Sequence, residues 1–287
     1  MSKTKKNLLY TAYVLSVTLF FLYILFPSEV AKKYLTSGLN RINPDLDIMI
    51  GDVKPGFLPG ITLYNVSAYH RGDSIFDAEK IVLSPAILSF FAGKLSLNID
   101  TAVYAGMVEA TVDFSWEKFR LKKVYMKMNK IQIGEIIALK NLMPHDLEGI
   151  LNGNIIYDAG EEKNVSVTSD IALADFGIEF LSPYYGLEAL NLKNIEADLE
   201  LNKNQLTVNR FTNVGGDADG NLAGSVLIRD IIGRSVLNLK GSVRPSAVFV
   251  DKLGKINPMV KAFLKKSSGN SGIPLNIQGT LERPRFF

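Results

Sequence analysis

The chain has no cysteine among its 287 residues, a single tryptophan and only two histidines. Without cysteine there is no disulfide, no thiolate metal site and no cysteine nucleophile. His70 and His145 have no metal-binding or catalytic partner at helical spacing. The sequence also contains no Gly-x-Gly-x-x-Gly, no Walker loop, no His-Glu-x-x-His and no Gly-x-Ser-x-Gly. An excess of one charge is lacking too. The formal net charge of +3 equals the contribution of Lys3, Lys5 and Lys6, so the remainder of the chain balances to zero. Nucleic acid is therefore not expected as a partner, because binding it rests on a surplus of phosphate-neutralising cations.

Long apolar runs are absent with one exception. Leu8 to Phe26 (LLYTAYVLSVTLFFLYILF) carries no charge and follows directly on Lys3, Lys5 and Lys6. As a helix this run is about 28 Å long, close to the thickness of a hydrocarbon core. Its Leu, Ile, Val and Phe side chains favour insertion by about 4 to 7 kcal/mol as an upper bound. The run ends in Phe26-Pro27-Ser28-Glu29 rather than in a small-x-small cleavage site. It is thus read as an uncleaved anchor and not as a signal peptide. Leu8, Leu15, Leu19, Phe20, Phe21, Leu22, Ile24 and Phe26 are its apolar residues of note, and Lys3, Lys5 and Lys6 favour a cytoplasmic amino end.

Beyond the anchor the dominant signal is period two. Leu95, Leu97, Ile99, Thr101 and Val103 alternate with polar residues, and Val108, Ala110, Val112 and Phe114 do the same after a turn expected at Ala105-Gly106. Leu95, Leu97, Ile99, Val103, Val108, Val112 and Phe114 are accordingly the candidate groove or core face. Similar alternation recurs in Val124 to Met128, Val165 to Ile171, Ile195 to Leu201, Leu206 to Val208, Ala223 to Ile228, Val236 to Leu239 and Ile273 to Leu281. Glycines at 72, 93, 106, 160, 215, 216, 220, 233 and 241 are read as turn markers. Antiparallel hairpins follow, since parallel pairing needs crossovers for which there is no room.

Short helices are expected at Ser28 to Ile42, from Ser84-Pro85 to Gly93, at Glu135 to Leu142, and from Asn257-Pro258 to Lys266. In the first, Val30, Tyr34, Leu35, Leu39 and Ile42 form one side and Lys32, Lys33 and Arg41 the other. Residues 267–272 read as a linker to the last strand.

The remaining polar clusters point to turns rather than chemistry. His145-Asp146-Leu147-Glu148 reads as a solvated turn after Pro144. Gly215 to Asn221 resembles a calcium loop only faintly, because the twelfth position falls on Ile228 where a bidentate Glu belongs. Asn65-Val66-Ser67 and Asn164-Val165-Ser166 match the glycosylation pattern at a frequency chance supplies. The basic segment Lys252 to Lys266 reads as a helix at one end of the sheet with its lysines in water, or as a contact for anionic lipid.

Three segments carry a resemblance. Arg41 to Tyr69 (RINPDLDIMIGDVKPGFLPGITLYNVSAY) resembles the opening of AsmA-type proteins, where an anchor and a short helix lead into a strand, a proline-glycine turn and a strand ending in Asn-Val. Ile81 to Tyr104 (IVLSPAILSFFAGKLSLNIDTAVY) is similar to the block that follows in that group, and Gly272 to Phe286 (GIPLNIQGTLERPRF) to its usual ending. The single anchor, the length and Leu147 to Tyr157 (LEGILNGNIIY) narrow the resemblance to the type II secretion system protein N family.

That resemblance implies a mainly β fold: one N-terminal transmembrane helix, then a long curved antiparallel sheet with an apolar groove and a few short helices. It implies a basic cytoplasmic tail over residues 1–7, an anchor over 8–26 and a periplasmic domain over 27–287, held at the inner membrane. It supplies no active site, so no catalytic, cofactor or metal residue is expected and the protein is read as no enzyme. The expected partners are the inner membrane and other proteins of the secretion machinery. Lipid held in the groove is the alternative.

Overall fold

The structure is a computed structural model that describes residues 3–42, 45–56, 59–87, 89, 94–115, 120–142, 145–160, 165–184, 187–256 and 272–287. Its strands are β1 (Leu46–Pro55), β2 (Ile61–His70), β3 (Asp73–Pro85), β4 (Leu95–Val103), β5 (Gly106–Phe114), β6 (Leu121–Gln132) and β7 (Asp146–Asp158). They continue as β8 (Ser166–Tyr184), β9 (Leu187–Asn202), β10 (Gln205–Gly216), β11 (Ala218–Leu227), β12 (Val236–Pro245), β13 (Ile273–Thr280) and β14 (Pro284–Phe286). All fourteen form one sheet in strict chain order, every neighbouring pair antiparallel. β1 and β14 are its two edges, so the sheet is open.

Tight hairpins make this order possible. Arg71-Gly72 joins β2 to β3 with φ of 53° and 94°, the left-handed geometry that matches strand twist. Tyr104-Ala105 joins β4 to β5 with φ of 52° and 56°. The expected turn therefore sits one residue earlier, and Gly106 pairs with Val103 as the first residue of β5. Gly220 and Gly241 are likewise strand residues rather than turn markers, paired with Asn213 and Leu222. A Cβ on Gly241 would run into the backbone of Asn221, and this close approach is why glycine stands there.

Among the described residues the sheet is accompanied by α1 (Lys3–Ile24), α2 (Ser28–Ile42), α3 (Ile137–Leu142), which follows a 3-10 turn over Ile133–Glu135, and α4 (Ala247–Ile256), besides helical residues at Ile87 and Ser89. α1 covers the run expected to be the anchor as far as Ile24, and Leu9, Tyr10, Tyr13, Val14, Phe20, Phe21, Tyr23 and Ile24 on it are exposed, whereas Phe26 lies past its end and packs on the first hairpin. Among the described residues, no helix is long and apolar enough to cross a membrane. The side chains of Lys3, Leu8, Leu15 and Leu22 lie outside those described. Ser84 and Pro85 end β3, paired with Asn98 and Leu97, so the helix expected from them starts later: Ile87 and Ser89 are helical, and most of the remainder up to Gly93 lies outside the described residues. The segment expected as a helix at Asn257 to Lys266 and most of the 267–272 linker lie outside the described residues. α4 precedes them and is capped by Ser246, whose hydroxyl accepts the Phe249 N–H at 3.2 Å.

α2 has the expected bounds but a different facing. Ala31, Leu35 and Leu39 pack with Phe26 on Ile50, Val53, Leu63 and Val66 of the first hairpin. Val30 and Tyr34 are exposed beside Lys33 and Arg41, because at about 100° per residue they lie off the Leu35–Leu39 line. Along the same helix, Lys32 Nζ donates to the Gly51 carbonyl at 2.7 Å, and Asn40 Oδ1 accepts the Ile48 N–H at 2.8 Å. These side chains satisfy backbone groups of edge strand β1. Two further apolar clusters lie along the sheet, one around Ala78, Val103 and Ile131, the other around Val208, Leu237 and Leu239.

Candidate functional site

Strand register, rather than any single motif, builds the principal feature. Directly paired residues share a face of an antiparallel sheet. From β1 through β7 the pairing links Pro55, Ile61, Leu83, Ile99, Ala110, Met126 and Ile155. From β8 through β14 it links Ser169, Leu199, Val208, Gly224, Leu239, Ile277 and Phe286. This row crosses every strand, and Ser169 is its one polar side chain. At about 4.8 Å per strand it spans roughly 60 Å.

The seven sheet residues singled out from sequence lie on this same face. Leu95 pairs with Phe114, Leu97 with Val112 and Val103 with Gly106, while Val108 stands across from Thr101 and Ile99 from Ala110. Val103 is buried and the other six are half-buried. The chain as a whole presents 19,609 Å² of accessible surface, whereas mass scaling gives about 12,000 Å² for a compact protein of 31.7 kDa. A single-layer sheet explains the excess, since among the described residues each face has only short helices and neighbouring side chains to cover it.

The opposite face is polar and charged. Here pairing lines up Asp100, Glu109, Lys127, Asn154, Asp170, Asp198 and Arg210 across β4 to β10. Asp100 across from Glu109, and Asp170 across from Asp198, are like-charge pairs. Arg210 offsets the second by holding Asp198 through Nε at 2.7 Å and reaching Glu196 at 3.1 Å. The Arg210 guanidinium keeps the Asp198 carboxyl below the usual aspartate range, and Asp198 in turn raises Arg210. Farther along the face, the Gly160 N–H and then Lys123 lower Asp158, and the Lys123 ammonium sits 4.9 Å from the centre of the Tyr125 ring. Sequence reasoning does not single these residues out, because the partners are brought together only by register.

The segment around His145 lies beside a cleft of about 570 Å³ lined by Glu135, Lys140, Asp146, Glu148, Asp175 and Glu179 among others. His145 is half-buried, not a fully solvated turn: its ring meets Phe180 edge-on at 5.4 Å, and its Nδ1 is buried without a hydrogen-bond partner. Among the described residues, no three His, Cys, Asp or Glu side chains are grouped to hold a metal ion. At the glycine-rich turn, Asp219 accepts the Gly215 N–H at 2.7 Å and Asp217 the Asn191 N–H at 2.7 Å. Both carboxylates thus accept backbone N–H groups of β9 and β10 beside the β10–β11 hairpin. Comparison with family models, curated proteins and solved structures gives no match.

Proposed function

We propose that this protein is a non-enzymatic component of a type II protein secretion system, anchored in the inner membrane by α1 with its sheet in the periplasm. The observation that carries the reading is the apolar row that crosses all fourteen strands. An apolar face of that length on a single-layer sheet is a binding surface or an aggregation hazard, so it calls for a partner. The resemblance to the type II secretion system protein N family supplies the machine in which that partner would be found. The anchor draws support from the sequence of α1, which is uncharged from Leu8 onward, and from the exposed apolar side chains described along it. With Lys3, Lys5 and Lys6 on the cytoplasmic side, the sheet follows on the other.

In this mechanism, α1 fixes the protein at the bilayer and the sheet holds another secretion protein on its apolar face. No residue is assigned to bond making or breaking. Deleting the gene and measuring secreted exoproteins tests the reading. Export is expected to fall, and to be restored by the wild-type chain but not by Leu97→Asp. Unchanged export in the deletion strain overturns it.

A second reading, lipid held on the same face, is favoured by the partial exposure of Leu97, Ile99 and Val112. It predicts acyl lipid co-purifying with the detergent-extracted protein in mass spectrometry and lost in Leu97→Asp.

A further inference from the structure

The side of α2 turned away from the sheet has an arrangement that packing does not explain. Glu29, Val30, Lys33, Tyr34, Ser37, Gly38 and Arg41 are all exposed and line one groove of about 770 Å³. Tyr34 keeps 77% and Val30 52% of its surface, although apolar neighbours one residue along the same helix, Ala31 and Leu35, pack on the sheet. Gly38 costs helix stability without relieving any crowding, since a Cβ there meets nothing within 4 Å. What glycine provides is an open groove floor. The groove offers two cations and an aromatic ring, and it begins a few residues after α1 ends.

We propose that this outer face of α2 docks on anionic phospholipid headgroups of the membrane in which α1 is anchored. The inference rests on that anchor. Lys33 and Arg41 meet lipid phosphates, while Tyr34 places its ring at the level of the headgroups and its hydroxyl toward water. Val30 enters the boundary with the acyl chains. Charge complementarity decides the occupant: Glu29 is the only acid on the face, and it sits at the end nearest α1. With its inner side on the first hairpin, α2 is then held between bilayer and sheet, setting how the sheet leaves the membrane.

The absence of cysteine makes a direct test possible. Ser37→Cys, carrying a spin label, is placed in the full chain in nanodiscs of phosphatidylcholine, with or without phosphatidylglycerol. Glu109→Cys, exposed on the polar sheet face, is the reference. In discs containing phosphatidylglycerol the label at 37 is expected to be shielded from an aqueous nickel chelate and accessible to oxygen. The paired variant Lys33→Glu/Arg41→Glu should lower the ratio of docked to free by about 25-fold or more, at about fivefold per cation lost. Those residues do not face the sheet, so an unchanged thermal melt confirms that the variant is folded. If the label at 37 is as water-exposed as the one at 109, or docks equally without phosphatidylglycerol, the inference is overturned. Carbonate extraction separates the two ideas: a protein that stays in the membrane with a free α2 refutes docking alone, and one that is released refutes the anchor and docking together.

Discussion

Leu97 of β4 stands directly across from Val112 of β5, while its chain neighbour Asn98 faces the other way and accepts a hydrogen bond from Thr111 Oγ1 at 3.1 Å. Consecutive residues thus belong to different solvents. Leu97→Asp places a carboxylate among apolar neighbours and is expected to cost about 3 kcal/mol. Asn98→Asp retains the acceptor and should stay within about 0.5 kcal/mol. Urea unfolding of the two variants measures the contrast, and equal losses would reverse the assignment of faces.

The β4–β5 turn makes a pair of opposite predictions. Gly106→Ala brings a Cβ to 2.6 Å from the carbonyl oxygens of Asn129 and Lys130, so the two strands must part and the melting temperature should fall. Ala105→Gly removes a side chain from a backbone with φ of 56°. Relief of left-handed strain, about 1 to 2 kcal/mol, exceeds the entropy glycine adds to the unfolded chain, about 0.4 to 1 kcal/mol. A small rise in melting temperature is expected for this variant.

Asn40 guards the β1 edge. Asn40→Ala removes the acceptor for the Ile48 N–H and leaves that strand free to pair with another chain. Sedimentation velocity should then show more concentration-dependent association than the wild type does. A variant that remains at the wild-type state across the concentration range would remove this role from Asn40.

Stability should depend on pH through Asp198. Its carboxyl is held lower in the folded chain than in the unfolded one, where it titrates near the usual value of about 3.9. The unfolded state therefore binds the proton first as pH falls. The contribution is present above the unfolded value and lost as pH drops through the folded one. Urea midpoints should fall less steeply with acid in Arg210→Gln than in the wild type, and the difference should shrink in salt because the pair is exposed. Parallel curves would show that Arg210 is not the cause.

Alternation makes β4, β5 and β13 legible in the sequence because those strands keep one face apolar throughout. It truncated β8, expected over Val165 to Ile171 and found over Ser166–Tyr184, since Asp175 with φ of 49° and the irregular pairing around Gly149 break the period. Ser28 marks the start of α2, as its first residue rather than its cap, but apolar character alone does not fix a helix's rotation, so Val30 and Tyr34, expected on the packed side, are exposed. Of α4, only Lys252 to Ile256 falls in the basic segment read as a helix, and its first half after Pro245-Ser246 has a mixed pattern that hides it. The charged row on the polar face depends on register over hairpins of many residues, and no local spacing announces it. Of the apolar face, the sequence displays the alternation within strands, whereas continuity from β1 to β14 appears only once pairing is known.

Strand order that repeats chain order has a consequence for biosynthesis. No strand waits for a partner made later than the next hairpin, so a chain delivered gradually, amino end first, can add each hairpin to an already paired predecessor. Contacts stay close in sequence despite the large sheet, and closure entropy is spent in small instalments. At every stage one growing edge is bare, which makes the arrival rate of the following segment, rather than a global collapse, the step that protects the nascent protein from mispairing.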